Sequence, residues 1–229
     1  MNIKKLSTLL VILFLPLMIS AQQWDEAMYR SIEKSIRQPQ FSDRQYSIIN
    51  FGASTKATAA KNQRAINKAI STCSKKGGGS VIVPKGEWHT GAIRLLSHVN
   101  LVIEDSATLK FAFEPELYPL VKTAWEGLAC WNYSPCIYAY EATDVAITGK
   151  GTIDGQGANE NWWKMCGAKQ FGWKEGIVAQ KNGGRERLLM YGETSMPVYK
   201  RIMTPEDGMR PQLINFHSCN TILIEDVNL

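Results

Sequence analysis

The chain has 229 residues, 45% of them hydrophobic and 21% charged, with 18 glycines and 9 prolines. That composition fits a globular fold with one sizeable core and excludes intrinsic disorder, collagen and a disulfide-dense miniprotein. The formal charge of +5 is mild, and no Lys/Arg run of the nucleic-acid-binding kind accompanies it, so no nucleic acid is expected as partner.

Residues 1–21 follow the order of a secretory signal peptide: Lys4 and Lys5, an apolar stretch over residues 9–19, and Ser20-Ala21 before Gln22. The apolar stretch is too short to span a bilayer comfortably and no cysteine follows it to carry a lipid, so no stable membrane anchor is expected. An exported chain, periplasmic or extracellular, of 208 residues would remain. The leader carries two of the 26 basic residues and none of the 21 acids, which leaves 24 against 21, or +3.

Residues 22–45 are expected to be an N-terminal helix and linker. The helix runs from Trp24 to Arg37, with Trp24, Met28, Ile32 and Ile36 every four residues and Pro39 after it. Residues 46–51 have strand character and stop at Gly52. A second helix covers residues 59–75, striped by Ala65, Ile66, Ala69, Ile70 and Cys73 and halted by Gly77-Gly78-Gly79. From Ser80 onward short β-rich segments alternate with Gly, Asn, Asp and Pro turns.

Those segments repeat. Residues 93–109 align without a gap on residues 137–153, and residues 214–229 follow the same plan with one residue fewer. In each, an apolar pair two apart (Leu101/Ile103, Val145/Ile147, Ile222/Ile224) follows a polar corner. Period-two alternation sends each pair to one face of a strand. So short a repeat cannot bury that face alone and must stack on its neighbours. Strand and corner without intervening helices predict an all-β fold, a right-handed parallel β-helix with a helical cap at its N-terminal end. The solenoid would occupy residues 46–229, with an insertion at about residues 154–210 that holds Trp162, Trp163, Phe171, Trp173 and the basic stretch 181–187.

Five cysteines, Cys73, Cys130, Cys136, Cys166 and Cys219, leave one over in any pairing, and Cys130/Cys136 is the locally plausible pair. No Cys-x-x-Cys and no histidine cluster accompanies them, so neither a metal nor another cofactor is expected.

Several motifs in order resemble glycoside hydrolase family 28, the polygalacturonases. They are Ile49-Asn-Phe-Gly-Ala53, Gly77-Gly-Gly-Ser-Val-Ile-Val-Pro-Lys-Gly86, Thr90-Gly-Ala-Ile-Arg-Leu95, Trp125-Glu-Gly127, Asn132-Tyr-Ser-Pro135, Gly149-Lys-Gly-Thr-Ile-Asp-Gly-Gln-Gly157 before Trp162-Trp163, and Arg210-Pro-Gln-Leu-Ile214. The resemblance implies inverting hydrolysis of α-1,4-galacturonosyl bonds and a pectic polysaccharide as partner. Inversion needs an acid and a base on opposite faces of the sugar, far enough apart to hold a water. The family's Asn-Thr-Asp segment, Asp-Asp pair, Gly-His-Gly histidine and Arg-Ile-Lys pair are absent: Asn220-Thr221 precedes Ile222, and Arg201-Ile202 precedes Met203. The resemblance therefore implies the N-terminal portion of a secreted bacterial member, cut before its active site and inactive alone.

No catalytic residue is assigned. Glu104-Asp105 and Glu225-Asp226 have the look of solvated turns at equivalent corners, Asp154 that of a residue bonding its own turn, and His89, His98 and His217 that of structural histidines without carboxylate partners. Substrate contacts are assigned to Trp162 and Trp163, whose flat indoles suit the apolar face of a pyranose, and to Trp125, Glu126 and Tyr133 of a second insertion. The two adjacent tryptophans can instead divide, one turned in and one out. A non-catalytic carbohydrate-binding β-helix and a calcium-dependent pectate-lyase-like eliminase are the alternative readings, the last without the carboxylate cluster that calcium needs.

Overall fold

The repeats stack as their pattern requires. A computed structural model describes residues 25–181 and 183–229, so the signal-peptide reading lies outside the described residues. These divide into two units, residues 25–37 and 38–229. In the first, helix α1 (Glu26–Ser35) is capped by Asp25, whose carboxylate accepts hydrogen bonds from the Ala27 and Met28 amides at 3.0 and 3.1 Å. None of its residues is buried.

The second unit opens with β1 (Gln45–Ser47). The sequence reading extends this strand to Phe51, but residues 48–51 form a 3-10 turn that closes on Gly52 at φ +96° and buries Ile48. Helix α2 (Ala59–Lys75) has the expected bounds: Thr58 accepts from the Lys61 amide, and its stripe of Ala65, Ile66, Ala69, Ile70 and Cys73 is buried. That face packs against β2 (Gly79–Val83), β3 (Gly86–Thr90) and β4 (Ile93–Leu95).

The next circuit is β5 (Val99–Ile103), β6 (Ala107–Phe111) and β9 (Ile137–Tyr140), with an antiparallel hairpin, β7 (Leu120–Trp125) and β8 (Leu128–Tyr133), looped out between β6 and β9. A third circuit is β10 (Thr143–Gly149), β11 (Thr152–Asp154) and β12 (Ile214–His217), followed by β13 (Asn220–Glu225). Strands from successive circuits pair in parallel and make three sheets. Sheet A has the order β1-β2-β5-β10-β13, sheet B is β3-β6-β11 and sheet C is β4-β9-β12. This is a parallel β-helix.

Level positions carry apolar side chains inward. Val81, Leu101, Ile147 and Ile224 form one column of sheet A, and Ile93, Ile137 and Ile214 form one of sheet C. The gapless alignment of residues 93–109 with 137–153 holds at both ends, where Ile93 pairs with Ile137 and Leu109 with Ile153, but slips by two between them. Leu101 is level with Ile147, not Val145. The corner before β10 is two residues longer than that before β5, and the corner after it two shorter, so the string shows no gap. A two-residue slip keeps every side chain on its face. It also takes Glu225 level with Thr148 and Val102, so Glu104-Asp105 and Glu225-Asp226 are not equivalent, although all four are exposed.

The Gly149-Lys-Gly151 motif has a steric origin. Gly149 has φ +112°, and a Cβ there would sit 2.1 Å from the Ile103 carbonyl oxygen of the circuit below. A Cβ on Gly151 would sit 2.3 Å from Ile103 Cγ2. At the corner entering sheet A, His98, Asp144 and Thr221 occupy level positions and all adopt left-handed backbone, with φ of 64°, 52° and 54°.

All five cysteines are free. The expected Cys130/Cys136 pair does not form because the two thiols enter different cores. Cys130 packs with Leu188, Met203 and Met209, whereas Cys136 joins the solenoid core. Burial pushes the two thiols up, to about 11 for Cys130 and about 12 for Cys136.

Candidate functional site

Both long excursions leave sheet B and return to sheet C, so both stand at the same corner of the solenoid: residues 112–136 between β6 and β9, and residues 155–213 between β11 and β12. They join one another. Trp131 bridges Ile202 in parallel, its amide donating to the Arg201 carbonyl and its carbonyl accepting from the Met203 amide, both at 2.8 Å, and the small second core unites β8 with helix α3 (Gly184–Glu193). The result is a wall beside the outer face of sheet C.

That outer face has its own ladder. Inward residues Ile93, Ile137 and Ile214 alternate with outward Arg94, Tyr138 and Asn215, then Tyr140 and His217. Tyr140 and His217 stack, with ring centroids 5.6 Å apart and planes 12° from parallel. From the hairpin, Lys122 Nζ donates to the Tyr140 hydroxyl at 3.1 Å and lies 5.4 Å from that ring's centroid. The hydrogen bond and the charge of Tyr140, aided by Glu141, hold the ammonium above its ordinary pKa. The Tyr138 hydroxyl donates to the Lys122 carbonyl, and burial pushes this phenol to about 12. Asn215 Oδ1 is buried without a hydrogen-bond partner. An outer face that carries an ammonium, a guanidinium, an imidazole, amides and aromatic rings suits a ligand with acidic groups and flat apolar faces.

A second depression lies at the corner itself, a cavity of about 700 Å³ lined by Trp125, Trp162, Trp163, Asp154 and Arg210 among others. It gathers three of the five residues assigned to substrate contact. The tryptophan pair divides: Trp163 is 45% exposed, whereas Trp162 is 5% exposed in the solenoid core, edge-on to Phe113 at 4.6 Å and to Tyr118 at 5.5 Å. Trp162 is therefore a packing residue, a correction to its reading as a stacking platform. Its indole Nε1 is buried without a partner.

Glu126 stands at the hairpin tip with φ +46° and pairs with Arg185 at 2.9 Å, joining the two excursions. Tyr133 is buried in the solenoid core, which raises its pKa. Neither reaches the groove, because Glu126 is spent on the wall and Tyr133 on the core. Asp154 accepts from the Gln156 amide at 2.8 Å, the turn role its motif implied. The histidines need a correction: His89 lies 2.8 Å from Glu87 and His98 3.4 Å from Asp144. Among the described residues no three His, Cys, Asp or Glu side chains converge as a metal site would require.

A parallel β-helix with a walled outer sheet defines the class. Comparison with known proteins then sharpens it. No protein-family model matches the chain. A probable polygalacturonase from Vitis vinifera is 30% identical in a 204-residue alignment that covers 79% of this chain and 41% of that relative. The crystal structure of a hyperthermoactive exopolygalacturonase from Thermotoga maritima superposes with a TM-score of 0.84 at 36% identity, over 90% of this chain and 46% of that one. A family 28 exopolygalacturonase from Yersinia enterocolitica shares the fold, with a TM-score of 0.55 at 20% identity, over 81% of this chain and 34% of that one. The chain is similar to these polygalacturonases over part of their length and spans less than half of each of them.

Proposed function

We propose that the chain is part of an exported polygalacturonase-type hydrolase and that it holds a pectic chain along the outer face of sheet C. The observation that carries this reading is the Lys122–Tyr140–His217 cluster on that face, beside a wall built from both excursions. An ammonium next to stacked rings recognises a sugar by its carboxylate and its apolar face together. Homology to the polygalacturonases supports the pectic substrate.

The acid and base of inverting hydrolysis are placed outside the described residues, on further circuits of the solenoid. Glu104, Asp105 and Asp226 are exposed carboxylates at corners, Glu225 is exposed at the end of β13, and Asp154 is held in its turn. Ile222 and Ile224 point inward yet are 41% and 44% exposed, and a further circuit laid on β13 would bury them. Helix α2 in turn acts as the cap of the opposite end. By this reading the protein binds polygalacturonate without releasing reducing sugar. Affinity electrophoresis in gels containing polygalacturonate is the test, with neutral galactan as control. Retardation by the acidic polymer only, weakened about tenfold in Lys122→Met, is expected. Equal retardation by galactan contradicts an acid-reading groove, and reducing-sugar release contradicts the placement of the catalytic acids. N-terminal sequencing of the exported protein tests the leader, with Gln22 as the expected first residue.

A non-catalytic binding β-helix is the second reading, favoured by the exposed or turn-held placement of all those carboxylates. Appending further circuits from a similar polygalacturonase after Leu229 separates the two, since only the first gains hydrolysis.

A further inference from the structure

A separate pocket of about 500 Å³ lies between helix α2, β4 and β7. Arg94 is the one charged residue lining it, and among the described residues no carboxylate comes within ion-pair distance of its guanidinium. An unneutralised cation in a concave site is placed to receive an anion. The surrounding wall is fixed in advance. Asn67 accepts from the Arg94 amide at 2.8 Å and donates to the Ala92 carbonyl at 3.1 Å, while Gln63 donates to the Ala92 and Leu117 carbonyls at 3.1 and 2.7 Å. With those amide donors engaged, Arg94 and the Ser71 hydroxyl are the groups left to meet a ligand. Leu96, Leu120 and Val121 give the lining its apolar part.

We infer that this pocket is a subsite for one hexuronate residue, whose carboxylate pairs with Arg94 while its ring lies against the leucine and valine side chains. The volume falls in the range of small-ligand pockets, and one cation together with an apolar part of the lining matches a sugar acid better than a neutral sugar. Tyr138 is level with Arg94 in sheet C and lines the pocket, and its hydroxyl donates to the Lys122 carbonyl, which sets the pocket beside the Lys122–Tyr140 cluster. The inference rests on the proposed pectic ligand and adds a specific residue to it.

Isothermal titration of galacturonic acid and galactose into wild type, Arg94→Gln and Arg94→Lys tests it, with trigalacturonate and Lys122→Met as the second arm. Galacturonic acid is expected to bind and galactose not to. Arg94→Gln should weaken the acid about tenfold with an unchanged melting temperature, and Arg94→Lys should recover part of the loss. Monomer binding should survive in Lys122→Met. Equal affinity in wild type and Arg94→Gln, or equal binding of galactose, overturns the subsite. Lys122-dependent binding of trigalacturonate would in that case leave the groove standing. Absence of binding by either acid overturns both.

Discussion

In the stacked sheets, apolar residue lies on apolar residue through four circuits, as in the column Val81, Leu101, Ile147 and Ile224. Where the excursions do not reach into the solenoid core, their own buried apolar cluster is the small set Cys130, Leu188, Met203 and Met209, and polar clamps supplement it. Asp207, 6% exposed, receives Arg187 together with the amide and hydroxyl of Thr204, and Arg185 reaches across to Glu126. The stack is a repeating hydrophobic structure whose geometry follows from register. The wall is a set of individual polar contacts, each replaceable, hung on one corner of that stack. A fold built this way can vary its groove without disturbing its core.

The contrast can be broken first at the stack. Leu101→Ala removes a fully buried side chain from the middle of a column and should lower stability by about 2–5 kcal/mol in a single global transition, read by urea denaturation. Asn62 ties α2 to the solenoid: it donates to the His89 and Ser54 carbonyls at 2.9 and 3.0 Å and accepts from the Ser54 amide at 2.9 Å. Asn62→Ala should cost about 1–3 kcal/mol through the groups it leaves unpaired.

In the wall, Asp207→Asn should cost about 1–2 kcal/mol locally, since Arg187 is partly exposed and its pairing is screened. Hydrogen exchange would then quicken in α3 and residues 203–209 while the sheets keep their protection. A uniform loss of protection would mean that wall and stack are one cooperative unit.

The smallest effect is electrostatic. On the outer face of sheet B the hydrogen bond from His89, with Lys110 nearby, holds the Glu87 carboxyl below its ordinary pKa. A depressed carboxylate stabilises the fold above its unfolded pKa, and the contribution disappears as pH falls through the folded value. Glu87→Gln should therefore melt slightly below wild type at neutral pH, with the difference vanishing in acid. A difference that persists at pH 3 would assign the effect to packing.

What the sequence revealed follows the same division. Helix α2 was legible because its apolar stripe and three glycines mark its face and stop, while its start is fixed by the Thr58 cap that the structure shows. Inward strand faces were legible because burial there repeats the same residue types. The register slip was hidden by two compensating corners, which only pairing resolves. The groove floor went unseen for a related reason: outward positions vary from Arg94 to Tyr138 to Asn215, and from Tyr140 to His217, so nothing repeats. Lys122 is 18 residues from Tyr140 and reaches it only through the hairpin. The tryptophan pair carried half the answer, since the motif marked both residues but not which one turns inward.

The central claim is that the outer face of sheet C reads the acid groups of a pectic chain. It is met most directly by titrating trigalacturonate, with neutral galactotriose beside it, into wild type, Lys122→Met and Trp163→Ala. The account predicts that wild type binds the acidic trimer alone, that Lys122→Met weakens it about tenfold and that Trp163→Ala, outside the groove, changes it little. Equal binding of the neutral trimer, or a loss confined to Trp163→Ala, would contradict it.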